Sequence, residues 1–142
     1  MNVKVRAPAE TDADAFASLV TQLGYTSTPA QVVARLRHLA DRTDIRAFVA
    51  EQQGRVVGMI GVEAFPAFHR DGLHGYVTAL VVDEDVRGGG VGAALMAASE
   101  AWFAEQGVKR VNLTTALHRE EAHAFYERLG YTFTGKRYTK IL

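Results

Sequence analysis

The chain has 142 residues, 48% of them hydrophobic, which suits a single domain over residues 1–142 built around one continuous core. Sixteen basic residues balance sixteen acidic ones, so no global field draws the protein to nucleic acid or to an anionic membrane, and any attraction for an anion must be local. Cysteine is absent, which excludes disulfides, thiolate metal sites and a Cys nucleophile; with no apolar run near the roughly 20 residues that cross a bilayer and no signal-like start, a cytoplasmic protein without a membrane partner is expected.

Val3 and Val5 alternate with Lys4 and Arg6 as a short strand, and Thr11 with Asp14 has the spacing of a helix N-terminal cap. A first helix is predicted from about Asp12 to Leu23, with Phe16, Leu19, Val20 and Leu23 on one face and Gly24 as its stop. Thr28, Pro29 and Gln31 form a capping box that launches a second helix through Val32, Leu36 and Leu39, ending near Asp41. Ile45 to Glu51 and Arg55 to Glu63 read as an antiparallel hairpin turned at Gln52-Gln53-Gly54. A loop from Ala64 to Leu73 is expected next, and then a buried strand from Gly75 to Val82 with no polar face.

A glycine-rich turn leads into a helix from Val91 to Gln106, carried by Val91, Leu95, Ala98 and Trp102 and stopped at Gly107. Arg110 to Thr115 is predicted as a strand, Glu120 to Leu129 as a helix closed by Gly130, and Tyr131 to Leu142 as a last strand. The order βααβββαβαβ, with hairpins in the middle and alternation later, predicts an α/β fold: a mixed sheet with helices on both faces.

The run Leu80-Val81-Val82-Asp83-Glu84-Asp85-Val86-Arg87-Gly88-Gly89-Gly90-Val91-Gly92-Ala93 is a buried strand, a glycine loop and a helix start. Such a turn lets backbone N–H groups approach an anion, the helix dipole favours a pyrophosphate there, and Arg87 adds a cation. The bland alternative is a turn whose glycines only permit tight geometry. A Walker loop would need Gly-Lys-Ser/Thr where Ala93 follows Gly92, and a Rossmann loop would need an acid at the end of the next strand, where Thr114 and Thr115 stand.

Arg87-Gly88-Gly89-Gly90-Val91-Gly92 resembles the Arg/Gln-x-x-Gly-x-Gly/Ala motif of the GNAT acetyltransferase superfamily, correctly placed between strand and helix. Ala122-His123-Ala124-Phe125-Tyr126-Glu127-Arg128-Leu129-Gly130-Tyr131 is similar to the family's closing Ala-x-x-Phe-Tyr-x-x-x-Gly-Phe/Tyr helix. The resemblance covers essentially the whole chain. It implies an N-acetyltransferase that uses acetyl-coenzyme A, with the amides of Gly88, Gly89, Gly90, Val91, Gly92 and Ala93 on the pyrophosphate. It also implies that Leu80, Val81 and Val82 pair with the pantetheine arm, Phe125 lies in the cofactor-binding helix, and Tyr126 is the acid beside the CoA sulfur. Without the motif, Phe125 and Tyr126 would read as core aromatics. The family's cofactor-binding Asn is replaced here by Arg119, whose guanidinium suits a phosphate or a substrate carboxylate.

Acetyl transfer needs a neutral amine. His74, Tyr76 and Thr78 share a face of a regular strand, and His74 stands where some relatives carry a glutamate base. A histidine with an unperturbed pKa of about 6.5 suits that task, although a loop-edge histidine is also commonly just solvated. Glu63, expected at the end of its strand, is the rival base; a third possibility is that the amine arrives already neutral. His118 and His123 fall about 140° apart on a helix with no third ligand in reach, so no metal is expected.

The resemblance implies that the acceptor pocket is built by the first two helices and the 64–73 segment, with its Phe65, Phe68, His69, Arg70 and Asp71. Arg35, Arg37 and His38 favour an acidic or amino-acid-like amine over a polycation, or form a solvated helix face. The expected partner is a small-molecule primary amine, with a homodimer as a further expectation; a protein or peptide amine, and a non-catalytic acyl-CoA-binding module, are the alternatives.

Overall fold

A computed structural model describes residues 2–115 and 120–142. They fall into two compact units, residues 1–112 and 113–142. The first unit opens with β1 (Lys4–Arg6), α1 (Ala13–Leu23) and α2 (Pro29–Leu39). It continues through β2 (Ile45–Gln52), β3 (Arg55–Ala67), β4 (Arg70–Val82) and α3 (Val91–Glu105), and β5 (Arg110–Leu113) runs to its boundary. The second unit contains α4 (Glu120–Arg128). The sheet has five strands in the order β1-β2-β3-β4-β5, and β1 to β4 pair antiparallel.

Local chemistry sets these boundaries. Thr28 Oγ1 accepts the Gln31 N–H at 3.2 Å while Gln31 Oε1 accepts the Thr28 N–H at 2.9 Å, the reciprocal box expected at the start of α2. The first helix begins differently from expectation. Asp12, not Thr11, is the N-cap of α1, and its carboxylate takes the Ala9 N–H at 2.7 Å together with both Nη atoms of Arg6 at 2.8 and 3.0 Å. A short 3-10 turn, Glu10–Asp12, therefore precedes the helix.

The sheet buries both faces. Phe16, Leu19, Val32, Val49, Met59 and Val81 form one cluster that joins α1 and α2 to one face of the sheet. The other face carries α3: a Cβ built on Gly58 would lie 3.0 Å from Leu95 Cδ1 and Val91 Cγ1, and one on Gly75 would lie 2.7 Å from the Phe103 ring. Gly58 and Met59 thus turn to opposite layers, as adjacent strand residues must. Val91, Leu95, Met96 and Phe103 are almost wholly buried.

Three expectations are corrected. The 64–73 segment is not a loop: β3 runs to Ala67 and β4 starts at Arg70, with Phe65 opposite His74 and Pro66 opposite Leu73. Pro66 and Gly72 read as loop punctuation, but the ladder absorbs them through a register shift at Pro66/Ala67. The fifth strand stops at Leu113, short of Thr115. The last strand expected over Tyr131 to Leu142 does not form. Its residues favour extended structure, but a strand exists only through the ladder it joins, and none is present for it among the described residues.

Candidate active site

The turn from β4 to α3 is held by hydrogen bonds and an ion pair. Asp83 donates its N–H to Val57 O at 2.8 Å, Asp83 Oδ1 accepts the Asp85 N–H at 3.0 Å, and Arg55 Nη2 stands 3.6 Å from the Asp83 carboxylate. Glu84 donates its N–H to Gln22 Oε1 at 3.2 Å, so the end of α1 ties down the turn. Nothing in the sequence flags Gln22, because the contact spans 62 positions. Arg87 Nε donates to Val82 O at 3.2 Å; the cation braces the turn from its flank.

Gly90 is the N-cap of α3, with φ of 86° and no capping side chain. Its left-handed backbone is one that glycine adopts without steric strain. Ala94 N–H is the donor that reaches Gly90 O, at 3.0 Å, so the N–H groups of Val91, Gly92 and Ala93 lie in the first turn, ahead of that bond. A Cβ built on Gly88 or Gly90 would meet nothing within 4 Å. This open, donor-rich helix end fits a pyrophosphate, with the dipole of the 15-residue α3 behind it.

Leading into the turn, β4 alternates its hydrogen-bonding groups between two edges. Because Asp83 N–H points at β3, Val81 does likewise, while Leu80 and Val82 turn theirs to the outer edge. β4 has 13 residues and its outer neighbour β5 has four, so most of that edge has no strand partner among the described residues. An extended amide-bearing chain can pair there with Leu80 and with the Val82 N–H, since Arg87 already holds Val82 O.

The base candidates share one sheet face. Glu63 pairs directly with Tyr76, and Phe65 with His74, so Glu63, Phe65, His74 and Tyr76 turn to the side that carries α1 and α2. Glu63 does not end its strand; it sits within β3, half-buried. His74 is not at a loop edge. It lies in β4, 6% exposed, with its ring stacked on Phe65 (centroids 6.1 Å apart) and on His69 (5.6 Å). Its Nε2 has no hydrogen-bond partner among the described residues. Thr78 is the extra residue where the register passes from Gly61 opposite Ala79 to Val62 opposite Val77; the bulge follows it, and a Cβ built on Gly61 would lie 2.9 Å from Thr78 Oγ1, so Thr78 keeps to the face of Tyr76 and His74 as expected.

Near Glu63, the α2–β2 connection is fixed by Asp44 O, which accepts the Ala64 N–H at 2.8 Å. Arg42 forks onto the Asp44 carboxylate at 2.7 and 2.8 Å. That bond holds the Asp44 carboxyl below the usual range, and Asp44, with a smaller contribution from Glu63, raises the Arg42 guanidinium. Arg37 is likewise paired with Glu10 at 2.8 Å, whereas Arg35 meets the neutral Ser27 hydroxyl at 2.9 Å.

In the second unit, the Tyr126 ring lies edge-on to Phe125 (5.1 Å) and to Tyr131 (6.1 Å). Tyr126 O accepts the N–H groups of Leu129 and Tyr131 at 3.1 and 3.0 Å, closing α4 at Gly130. Arg137 reaches Thr114 Oγ1 at 3.2 Å. Arg119 and His118 lie outside the described residues. No group of three His, Cys, Asp or Glu poised for a metal occurs among the described residues.

Comparison with known proteins agrees with this architecture. Over 94 residues the chain is 35% identical to aminoalkylphosphonate N-acetyltransferase of Salmonella typhimurium, a match covering 66% of this chain and 61% of that enzyme's length. It is 29% identical over 137 residues to glucosamine 6-phosphate N-acetyltransferase of Trypanosoma brucei brucei, covering 92% and 90% of the two chains. The crystal structure of glucosamine-6-phosphate N-acetyltransferase from Arabidopsis thaliana shares the fold, with a TM-score of 0.88 at 23% identity over 99% of both chains. Residues 14–131 match the model of the acetyltransferase (GNAT) family, and with a glycine turn opening onto the bare N-terminus of α3, the chain belongs to that family.

Proposed function

We propose that residues 1–142 form an N-acetyltransferase domain that moves the acetyl group of acetyl-CoA to the primary amine of a small molecule by direct attack. The observation that carries this reading is the bare α3 N-terminus, capped by no side chain, at the end of the β4 edge. The amides from Gly88 to Ala93 hold the pyrophosphate, and the outward groups of Leu80 and the Val82 N–H take the pantetheine amides, with Val81 supporting them from the β3 side. Arg87 holds the turn, and Arg119 and Phe125 contribute to cofactor binding as the family resemblance implies. Acetyl-CoA supplies the acetyl group as a thioester.

Glu63, half-buried, receives the ammonium and takes its proton, directly or through water, and His74 is the second candidate for that step. Tyr126 gives a proton to the leaving thiolate. The two relatives described above are named for phosphorus-bearing amines, which come first in a search for the acceptor. No helix among the described residues is long and apolar enough to cross a membrane; the cytoplasm is the proposed place of action.

The test is thiol release from acetyl-CoA across amines that include glucosamine 6-phosphate, 2-aminoethylphosphonate and N-terminal peptides, beside thermal unfolding with and without acetyl-CoA. Release with a small amine, and a rise of Tm with acetyl-CoA that Gly90→Val and Gly92→Val abolish, are expected. A Tm rise without release for any amine marks a binding module. Release confined to peptides marks a protein acetyltransferase, and undiminished affinity in both valine variants places the cofactor elsewhere.

A further inference from the structure

The His74 imidazole is an anomaly in the sheet: almost fully buried, with Nε2 lacking a hydrogen-bond partner among the described residues. A buried polar atom left so loses its bonds to water without replacing them, which destabilises a fold, and native proteins keep few such atoms. Two rings cover it. Phe65 comes from the opposite position of β3, and His69 from the tip of the β3–β4 hairpin.

These covers differ in how freely they can move. The backbone at His74 is pinned, because Gly75 sits with no room for a Cβ against the Phe103 ring of α3. Phe65 is held in the ladder opposite His74. His69 is exposed, on a tip whose register shifts at Pro66/Ala67, beside a fully exposed Phe68. Displacing His69 breaks no regular strand pairing and removes one of the two rings stacked on His74, on the face that His74 shares with Glu63 and Tyr76.

Resting on the proposed acetyltransferase reading, we propose that His69 is a displaceable cover, and that the acceptor moves it aside and gives His74 Nε2 its missing partner. The acceptor is then an amine with a hydroxyl beside it: the ammonium sits on Glu63 and the hydroxyl donates to His74. The two side chains are diagonal neighbours across one strand pair, about 7 Å apart at their backbones, a span that a compact amino alcohol or amino sugar fills.

The cover and the buried nitrogen make predictions of opposite sign. Removing the cover with His69→Ala spares the acceptor the energy of opening, so KM for the acceptor falls several-fold with kcat near wild type. His69→Phe, which keeps a stacking ring, leaves KM at or above the wild-type value. His74→Phe keeps the ring stack and removes the orphan nitrogen, so Tm rises by a few degrees while preference for hydroxylated amines is lost. That preference is the ratio of kcat/KM for ethanolamine over ethylamine, and for glucosamine 6-phosphate over 2-aminoethylphosphonate; it is about tenfold or more in the wild type and near one in His74→Phe.

A ratio that His74→Phe leaves intact overturns the proposal, as does a KM that rises in His69→Ala. Release with amines lacking a hydroxyl at equal efficiency also overturns it while the acetyltransferase reading stands. Absence of release with every amine, in protein that acetyl-CoA still stabilises, removes both.

Discussion

Single side chains differ in how far the sequence discloses them. Tyr126 is found by its place in the closing motif, and its ring packs edge-on to Phe125 and Tyr131, the same surroundings that a merely structural tyrosine would have. Kinetics separates the two roles: Tyr126→Phe should retain affinity for acetyl-CoA and lower kcat by about 10²-fold if the hydroxyl protonates the thiolate. Wild-type turnover would make Tyr126 a packing residue. Gly75 is the opposite case, unremarkable in the sequence and tightly constrained in the structure. Gly75→Ala puts a methyl 2.7 Å from a Phe103 ring that is 2% exposed, and the core has to shift. We expect a loss of about 1–3 kcal/mol by urea denaturation, with the Phe103→Leu background recovering part of it; an unchanged midpoint would mean that the ring yields freely.

Elements were legible where their ends carry local chemistry. The Thr28-Pro29-Gln31 box and Gly107 bracket α2 and α3 as read from the sequence, because a cap is made within a few residues. Thr28→Ala should cost about 1 kcal/mol, measured as a lower urea midpoint, and Thr28→Ser should restore most of it; equal stability of all three would show that Pro29 alone sets the helix start. Misreadings fall where long-range pairing decides. Pro66 and Gly72 look like loop residues until the partner strand is known, and Tyr131 to Leu142 looks like a strand although no ladder receives it among the described residues. The same holds for the site. The glycine turn is a local motif and was readable, whereas the Gln22 contact, the His69 stack and the bulge at Thr78 depend on segments that meet only after folding.

At the scale of the molecule, charge neutrality hides an uneven distribution of paired charge, and this sets the response to acid. Asp12, Glu10 and Asp44 each have a carboxyl held below its usual range, in every case first by a hydrogen bond from an arginine: Arg6, Arg37 and Arg42. The arginines are raised in return and stay charged at any pH of interest. A carboxyl with a depressed folded value binds fewer protons folded than unfolded between the two values, so its contribution is present above the unfolded value of about 4 and is lost as pH falls through the folded one.

Exposure ranks the three. The Glu10 and Asp44 side chains are 50% and 42% exposed, and water and salt screen them, whereas Asp12 is 10% exposed and joins β1 to the start of α1 through Arg6, with Glu51 of β2 standing 3.6 Å from the same guanidinium. Asp12→Asn should therefore lower stability at pH 7 by about 1–2 kcal/mol, and the difference from wild type should shrink steadily below about pH 4 as the native carboxyl is protonated. Urea unfolding from pH 7 to pH 2.5, repeated at 0.5 M salt, measures this. A difference that stays constant down to pH 2.5 would assign the effect of Asp12 to the geometry of the Ala9 turn, which the Asn amide oxygen preserves only in part, and not to its charge.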